Sequence, residues 1–524
     1  MCSKNVTYSL RKKECEKDYN NCEKKVMETL KNIMNKPYYK GATFSLATSI
    51  KGLSLNQNTF IQPASTLKMF TCAIALILFG PDSIIRTPIV TDGYINGDTL
   101  HGNLILVGSG DFTFGGRRIT LSPKEQVGLE ASIPCTTNTD IAYTSIDHLT
   151  IPYLIELTPQ NPLCGIITLA QKLYNLGIRN ITGSVFVDVS LFEPYLSDGI
   201  IVVSPIELNE NVIDVVLTPT IVGQKPSICW RPKVSTYEII NNTITSPPGS
   251  FIDVQQEYQN DNHTIILTGT VPITECNVVT RIPIRDPADF AKNALIDALK
   301  NLDIAIQNNP IPLGQTKTKL VSYKSVPLSQ TIKLILKVSS NPGADLMVIL
   351  ISLINNTTGD YNRGLNYIAN FLCTNIDISP FEINLIDGHG FPGNFITACD
   401  SLKLLEYMRK QPAKYFQAFF NALPILGVDG TLQDNGVDLP ARNHVFAKTG
   451  SLTIPRATDD NVILYVKGLA GYVETWRGNF ITFAIYVNYA ALPTNRSDIN
   501  DILANVELIG QDLAIVSNSI YLNC

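Results

Sequence analysis

Only five histidines occur among 524 residues, and no two cysteines have C-x-x-C spacing. The usual ligand sets of a zinc site are missing, so neither a metal nor a cofactor is expected. Charged residues make up 17% of the chain and the net charge is −5. No basic stripe accompanies an aromatic cluster, which excludes the electrostatic footprint of a nucleic-acid partner. Long apolar runs are absent too. The longest, CAIALILFG, is far too short to cross a bilayer and reads as a core helix. The first twenty residues contain no apolar h-region, so no secretory leader is visible. The one notable charge run, RKKECEKDYNNCEKK, mixes both signs and reads as a solvated helix face.

Cysteine, by contrast, is plentiful: eleven, too many for a reducing compartment when metal-ligand spacing is lacking. Cys135 with Cys164 and Cys229 with Cys276 are candidate disulfide pairs, although spacing does not fix connectivity. Cys72, inside the CAIALILFG run, reads as a buried free thiol. The chain is expected to act in the periplasm or otherwise outside the cytoplasm, its leader removed. Met1-Cys2 is compatible with an initiator methionine set before a former lipoprotein cysteine. Peripheral membrane association and self-assembly remain open on this reading.

Forty-five per cent hydrophobic residues over this length describe a globular protein of two or three domains. Residues 9–36 read as an amphipathic helix, followed by strands at ATFSLATSI and NTFIQ. From about residue 88 to 284 the texture is β-rich: GNLILVGSG, GSVFVDVS, DVVLTPT and TIILTGTVPI are short runs parted by Gly, Pro, Asn and Asp. Helical texture returns at DPADFAKNALIDALKNL. Two strand-like segments, NVILYVKGLAGYV and GNFITFAIYVNYA, precede a helical stretch near 496–517. The simplest organisation is a discontinuous domain made of residues 1–87 and 285–524, with 88–284 inserted as two small β-rich domains.

The chemistry is carried by three short motifs. Ser65-Thr66-Leu67-Lys68 sets a hydroxyl and an amine three residues apart, on one face of a helix. Ser65 falls in the first turn, where unpaired N–H groups favour developing negative charge, and Lys68 could take its proton. Alone this is weak, since roughly two S-x-x-K matches arise by chance in such a chain. Two more motifs follow in order: Ser339-Ser340-Asn341 and Lys448-Thr449-Gly450. S-x-x-K, S-x-N and K-T-G in this order are the combination used by penicillin-binding proteins and serine β-lactamases. Ser339 can relay a proton to a leaving amine and Asn341 can hold a substrate amide. Lys448 and Thr449 offer charge and a hydroxyl to a carboxylate, and Gly450 lets a substrate backbone lie close to the strand.

From about residue 40 to 490 the sequence resembles the D-alanyl-D-alanine carboxypeptidase/endopeptidases, the class C low-molecular-mass penicillin-binding proteins. LHGNLILVGSGDFTFGG, LYNLGIRNITGSVFVDVSLF, IELNENVIDVVLTP, LPILGVDGTL and KGLAGYV each resemble a segment of that family in the same order. The resemblance implies an α+β fold: a transpeptidase/β-lactamase-like domain, an antiparallel sheet flanked by helices, with inserted β-rich domains. It implies a serine DD-peptidase that cleaves terminal D-Ala, or D-Ala cross-links, of peptidoglycan peptides through an acyl-enzyme and binds β-lactams. Ser65 is then the nucleophile and Lys68 its base. Ser339 and Asn341 relay protons and hold substrate, Lys448 and Thr449 take the terminal carboxylate, and N–H groups of Ser65 and Ser451 form the oxyanion hole. Asp188 and Phe192 match a D-x-S-x-F segment near the site, where Asp188 could meet a substrate amine; otherwise they are a strand-end turn and a core aromatic. The alternatives are a β-lactamase or esterase, and a non-catalytic peptidoglycan-binding relative. The sequence departs from the family in Asp387-Gly388-His389-Gly390-Phe391-Pro392-Gly393, where His389 replaces a serine and Gly393 an arginine that in some members reaches substrate. Both replacements are expected at the rim of the cleft.

Overall fold

A computed structural model describes residues 21–114, 161–455, 462–492 and 499–524. They form two compact units. The first takes the described parts of Met1–Pro81, Ile335–Ser339 and Leu365–Cys524; the second takes those of Asp82–Leu334 and Ser340–Gly364.

The first unit is built on a four-stranded antiparallel sheet in the order Thr43–Thr48, Phe480–Leu492, Val462–Glu474, Val445–Pro455. The two strand-like segments after K-T-G are the long central strands. Their small and apolar residues are buried on both faces, as a sheet covered by helices requires. A helix over residues 21–34 buries Cys22, Val26, Leu30 and Ile33, a spacing of one face. These side chains share a core with Leu464, Phe483 and Val487 of the sheet and with Ile509, Leu513, Val516 and Ile520 of the helix Ile499–Asn523. Cys22 is disulfide-bonded to Cys524, which pins the first described helix to the last. That pairing was not anticipated. The helices Lys68–Phe79 and Ala398–Arg409 also belong to this unit, and Tyr472 Oη donates to Leu405 O across 2.8 Å. NTFIQ is not a strand: only Ile61 makes a bridge, to Ile396. Residues 9–20 of the expected first helix, and Cys2 and Cys15, lie outside the described residues.

In the second unit, Arg86–Thr91 pairs with Thr318–Lys324 and with Leu104–Val107, which in turn pairs in parallel with Val185–Asp188. Val212–Thr218 lies between Ser227–Arg231 and Val278–Pro283, and Thr264–Pro272 between Glu238–Ser246 and Asp253–Tyr258. One continuous apolar core runs through these sheets. The division of the chain falls elsewhere than the expected boundaries at 87/88 and 284/285. The helix Pro287–Lys300, started by Asp286 capping Asp289 N–H, buries Phe290, Ala294, Leu295 and Leu299 in the β-rich core. Helical texture says that a helix forms, not which core it joins. Cys229 and Cys276 are free and exposed, so the pair proposed between them does not form. Cys164 is disulfide-bonded, and Cys135 lies outside the described residues. Cys72 is a buried free thiol, as its apolar neighbours suggested.

Candidate active site

In the first unit the chain turns through the 3-10 segment Ala64–Leu67 directly into the helix Lys68–Phe79, so the S-x-x-K motif straddles the junction. Ala64 has φ +44°, in the left-handed region that non-glycine residues seldom occupy. Such local strain persists where surrounding contacts over-determine it. Here the turn is enclosed on two sides. A Cβ on Gly390 would come within 1.9 Å of Ala64 O, and one on Gly450 within 2.5 Å of Pro63 O. Thr66, next to the half-buried Ser65, hydrogen-bonds Pro63 O at 2.7 Å and Tyr486 Oη at 3.0 Å. Ser401 Oγ lies 2.8 Å from the same phenol, which burial pushes up to about 12.

Lys68 is fully buried and donates from Nζ to Ser65 Oγ at 2.8 Å and to His389 O at 3.2 Å. Asp387 shapes that second acceptor. Its carboxylate receives the N–H groups of His389, Gly390 and Phe391 at 2.9, 2.6 and 3.0 Å and Asn394 Nδ2 at 3.0 Å. His389 is not the rim residue that the sequence suggested. Its side chain is buried, with Nε2 3.8 Å from Asp387 Oδ2, and its backbone carbonyl is what meets Lys68. Gly393 adopts φ +113°, and a Cβ there would lie 2.7 Å from Ile386 Cδ1. An arginine at this position would need both a different backbone and a displaced Ile386.

Lys448, on the edge strand Val445–Pro455, is also fully buried. It donates to Ser339 Oγ and to Thr449 O, each at 2.9 Å. Burial and the nearby Lys68 ammonium hold its amine well below the usual lysine range, with a further lowering from Lys467 that Cys72 opposes. Cys72, in turn, is pushed up to about 12 by burial. Ser339 is buried with φ +62°, like Ala64 a non-glycine residue in the left-handed region. Thr449 Oγ1 lies 2.7 Å from Thr431 Oγ1. Ser451 continues the strand opposite Lys467.

The remaining sequence-predicted residues belong to the second unit. Ser340 caps the helix Asn341–Ser352 by accepting Gly343 N–H, and Asn341 donates from Nδ2 to Asp198 Oδ2 at 2.6 Å. Asp188 stands at the end of its strand and accepts Lys317 Nζ at 2.8 Å and Ser190 N–H at 3.0 Å. Against the cost of partial burial, these partners bring its carboxyl down to about 2. Phe192 is buried and bridges to Gly359. The structure thus brings Ser65, Lys68, Ser339, Lys448, Thr449, Gly450 and Ser451 into one unit, and Asn341, Asp188 and Phe192 into the other. Sequence reasoning gave no role to Asp387, which it named only within its segment, nor to Thr431, Asp198 and Lys317. Thr431 sits in the LPILGVDGTL segment, which was noticed without a role; no sequence signal pointed to Lys317.

A serine and a lysine one turn apart, beside an edge strand carrying a second buried lysine that meets a second serine, are the arrangement expected of an active-serine peptidase of the penicillin-binding class. The chain belongs to the D-Ala-D-Ala carboxypeptidase 3 (S13) family, which it matches over residues 28–506. It is a serine DD-peptidase of that family. It is similar to penicillin-sensitive carboxypeptidase A of Dictyostelium discoideum, 24% identical over 472 residues that cover 87% of this chain and 83% of that protein. It is also similar to a D-alanyl-D-alanine carboxypeptidase of Actinomadura, 23% identical over 495 residues covering 88% and 80% of the two chains. Among solved structures, penicillin binding protein 4 of Haemophilus influenzae superposes with a TM-score of 0.68 at 20% identity, covering 92% of this chain and 97% of that one. This likeness shows the same fold.

Proposed function

We propose that this enzyme removes the terminal D-Ala of peptidoglycan peptides, and opens D-Ala cross-links, through an acyl-enzyme on Ser65. The observation that carries the reading is a pair of fully buried lysines, each hydrogen-bonded to a serine: Lys68 to Ser65 and Lys448 to Ser339. Burial and the neighbouring Lys68 hold the Lys448 amine well below the usual lysine range, and the 2.8 Å contact of Lys68 Nζ with Ser65 Oγ sets Lys68 where a base for that hydroxyl must stand. Lys68 accepts the Ser65 proton as Oγ bonds to the D-Ala carbonyl carbon. N–H groups of Ser65 and Ser451 stabilise the oxyanion. The C–N bond breaks as the leaving amine takes that proton, passed on from Lys68 through Ser339, which returns Lys68 to its neutral form. Water then adds to the ester, giving its proton to Lys68, which hands it to Ser65 Oγ as the ester C–O bond breaks. Asn341 holds the substrate amide, and Lys448 with Thr449 takes the terminal carboxylate.

The same reading makes β-lactams mechanism-based ligands, since ring opening leaves an ester on Ser65. A solved structure of the Haemophilus penicillin binding protein 4 holds a β-lactam, which supports this extension. An activity on peptidoglycan implies work outside the cytoplasm, and the Cys22–Cys524 disulfide, in keeping with an oxidising compartment, supports that reading. Incubation with labelled benzylpenicillin tests the assignment. Intact-mass spectrometry should show one long-lived adduct per chain, absent from Ser65→Ala. Rapid release of hydrolysed drug would mean a β-lactamase, and no adduct a binding protein without activity.

A further inference from the structure

The turn Asp429-Gly430-Thr431 touches two motif elements of the first unit at once. Asp429 receives Lys337 Nζ on both carboxylate oxygens at 2.6 Å, and Oδ1 also accepts Ile425 N–H at 2.9 Å. Lys337 is buried and lies two residues before Ser339. Gly430, at φ +59°, presses so close to the Lys337 carbonyl that a Cβ would fall 2.8 Å from it. The next residue, Thr431, reaches the K-T-G strand and meets Thr449 hydroxyl to hydroxyl at 2.7 Å. An ion pair therefore fixes the turn on the approach to Ser339, and the turn delivers a second hydroxyl to Thr449.

The chemistry of the pair gives that second hydroxyl a direction. Each threonine has one proton to donate. A carboxylate only accepts, so an anion bound by Thr449 requires the Thr449 proton to point outward. The short Thr431–Thr449 contact is then satisfied only if Thr431 donates and Thr449 accepts. Donation into Thr449 Oγ1 also polarises its outward O–H, since chained hydrogen bonds strengthen one another.

We propose that Thr431 is a positioning residue for the substrate's terminal carboxylate, acting through Thr449 by donating its hydroxyl proton to Thr449 Oγ1. The inference rests on the assignment of Thr449 as a carboxylate ligand and assigns the DGT turn a part in binding the substrate.

The test is a double-mutant cycle on hydrolysis of an acylated L-Lys-D-Ala-D-Ala peptide, with Thr431→Val, Thr431→Ser, Thr449→Val and the Thr431→Val/Thr449→Val pair. Thr431→Val conserves shape and should lower kcat/KM roughly tenfold, chiefly by raising KM, in line with the loss of a hydrogen bond that supports a charged ligand. Thr431→Ser should restore most of the loss, because serine supplies the same donor. The double variant should be no worse than Thr449→Val alone, since a hydroxyl that acts through Thr449 has nothing left to act on. Additive losses, failure of Thr431→Ser to recover activity, or a Thr431→Val enzyme within twofold of wild type would each overturn the proposal. A wild-type protein that hydrolyses no D-Ala-D-Ala peptide and takes up no penicillin is a different result. It would remove the peptidase assignment itself.

Discussion

Lys448 donates from Nζ to Ser339 Oγ across 2.9 Å, and Ser339 holds that position with its backbone at φ +62°. The strained serine is kept in place by its surroundings: Lys448 on one side, and on the other a chain that leaves a buried helix end fixed by the Lys337–Asp429 ion pair. A serine on an ordinary helical turn would swing with the helix. This one is positioned by the edge strand, so Ser339 and the third motif act as one object.

The depressed Lys448 amine has a consequence for stability. Below its folded pKa both folded and unfolded chains bind the proton; above 10.5 neither does. Between those limits only the unfolded chain binds it, so stability attributable to Lys448 rises with pH across that window. Thermal melts of wild type and Lys448→Met should show wild type gaining on the variant as pH rises from neutral toward 10.5. A constant difference would mean that Lys448 titrates normally.

Asp188 is already occupied by the ammonium of Lys317. A substrate amine must displace that lysine, so Lys317→Met should increase the preference for D-Ala-D-Ala peptides with a free side-chain amine, and Asp188→Asn should abolish it. Equal preference in all three proteins would reduce Asp188 to a strand-end turn residue. The carboxyl at about 2, below its ordinary 3.8, adds a stability check. The pair contributes fully above the unfolded value and is lost as pH falls through the folded one, so the melting gap between wild type and Asp188→Asn should close near pH 2.

Reducing the Cys22–Cys524 bond should lower the melting temperature, since removing a native disulfide typically costs about 2–5 kcal/mol. The same loss is expected in Cys22→Ser, measured without reductant. Unchanged melting in both would show that the apolar contacts of Val26, Leu30, Leu513 and Val516 hold the two helices without it.

The first unit was largely readable because its motifs fix both residue type and backbone setting. S-x-x-K demands a helix entry, and K-T-G needs a strand whose glycine admits a close neighbour; both are observed. What escaped was long-range pairing. Cys22 and Cys524 are 502 positions apart, and no local pattern marks them as partners. Cys229 and Cys276, far closer in sequence, are both free. His389 looked like a rim group because its side chain was the unusual feature. The fold uses its carbonyl instead, presented by an Asp387 loop whose hydrogen bonds are mostly to backbone and so leave little trace in residue choice. Lys317 is one lysine among many until the strand it precedes, Thr318–Lys324, is placed beside Arg86–Thr91.

Gly390 and Gly450 leave no room for a side chain beside Ala64 and Pro63. The segments at 61–68, 387–394 and 445–451 are consequently fitted to one another as backbone, not merely as side chains. They form a single unit of exchange. A chimera with a relative that transplants the Ser65 turn alone would set a foreign backbone between two surfaces shaped for the original, whereas moving all three segments together carries the cradle with its serine.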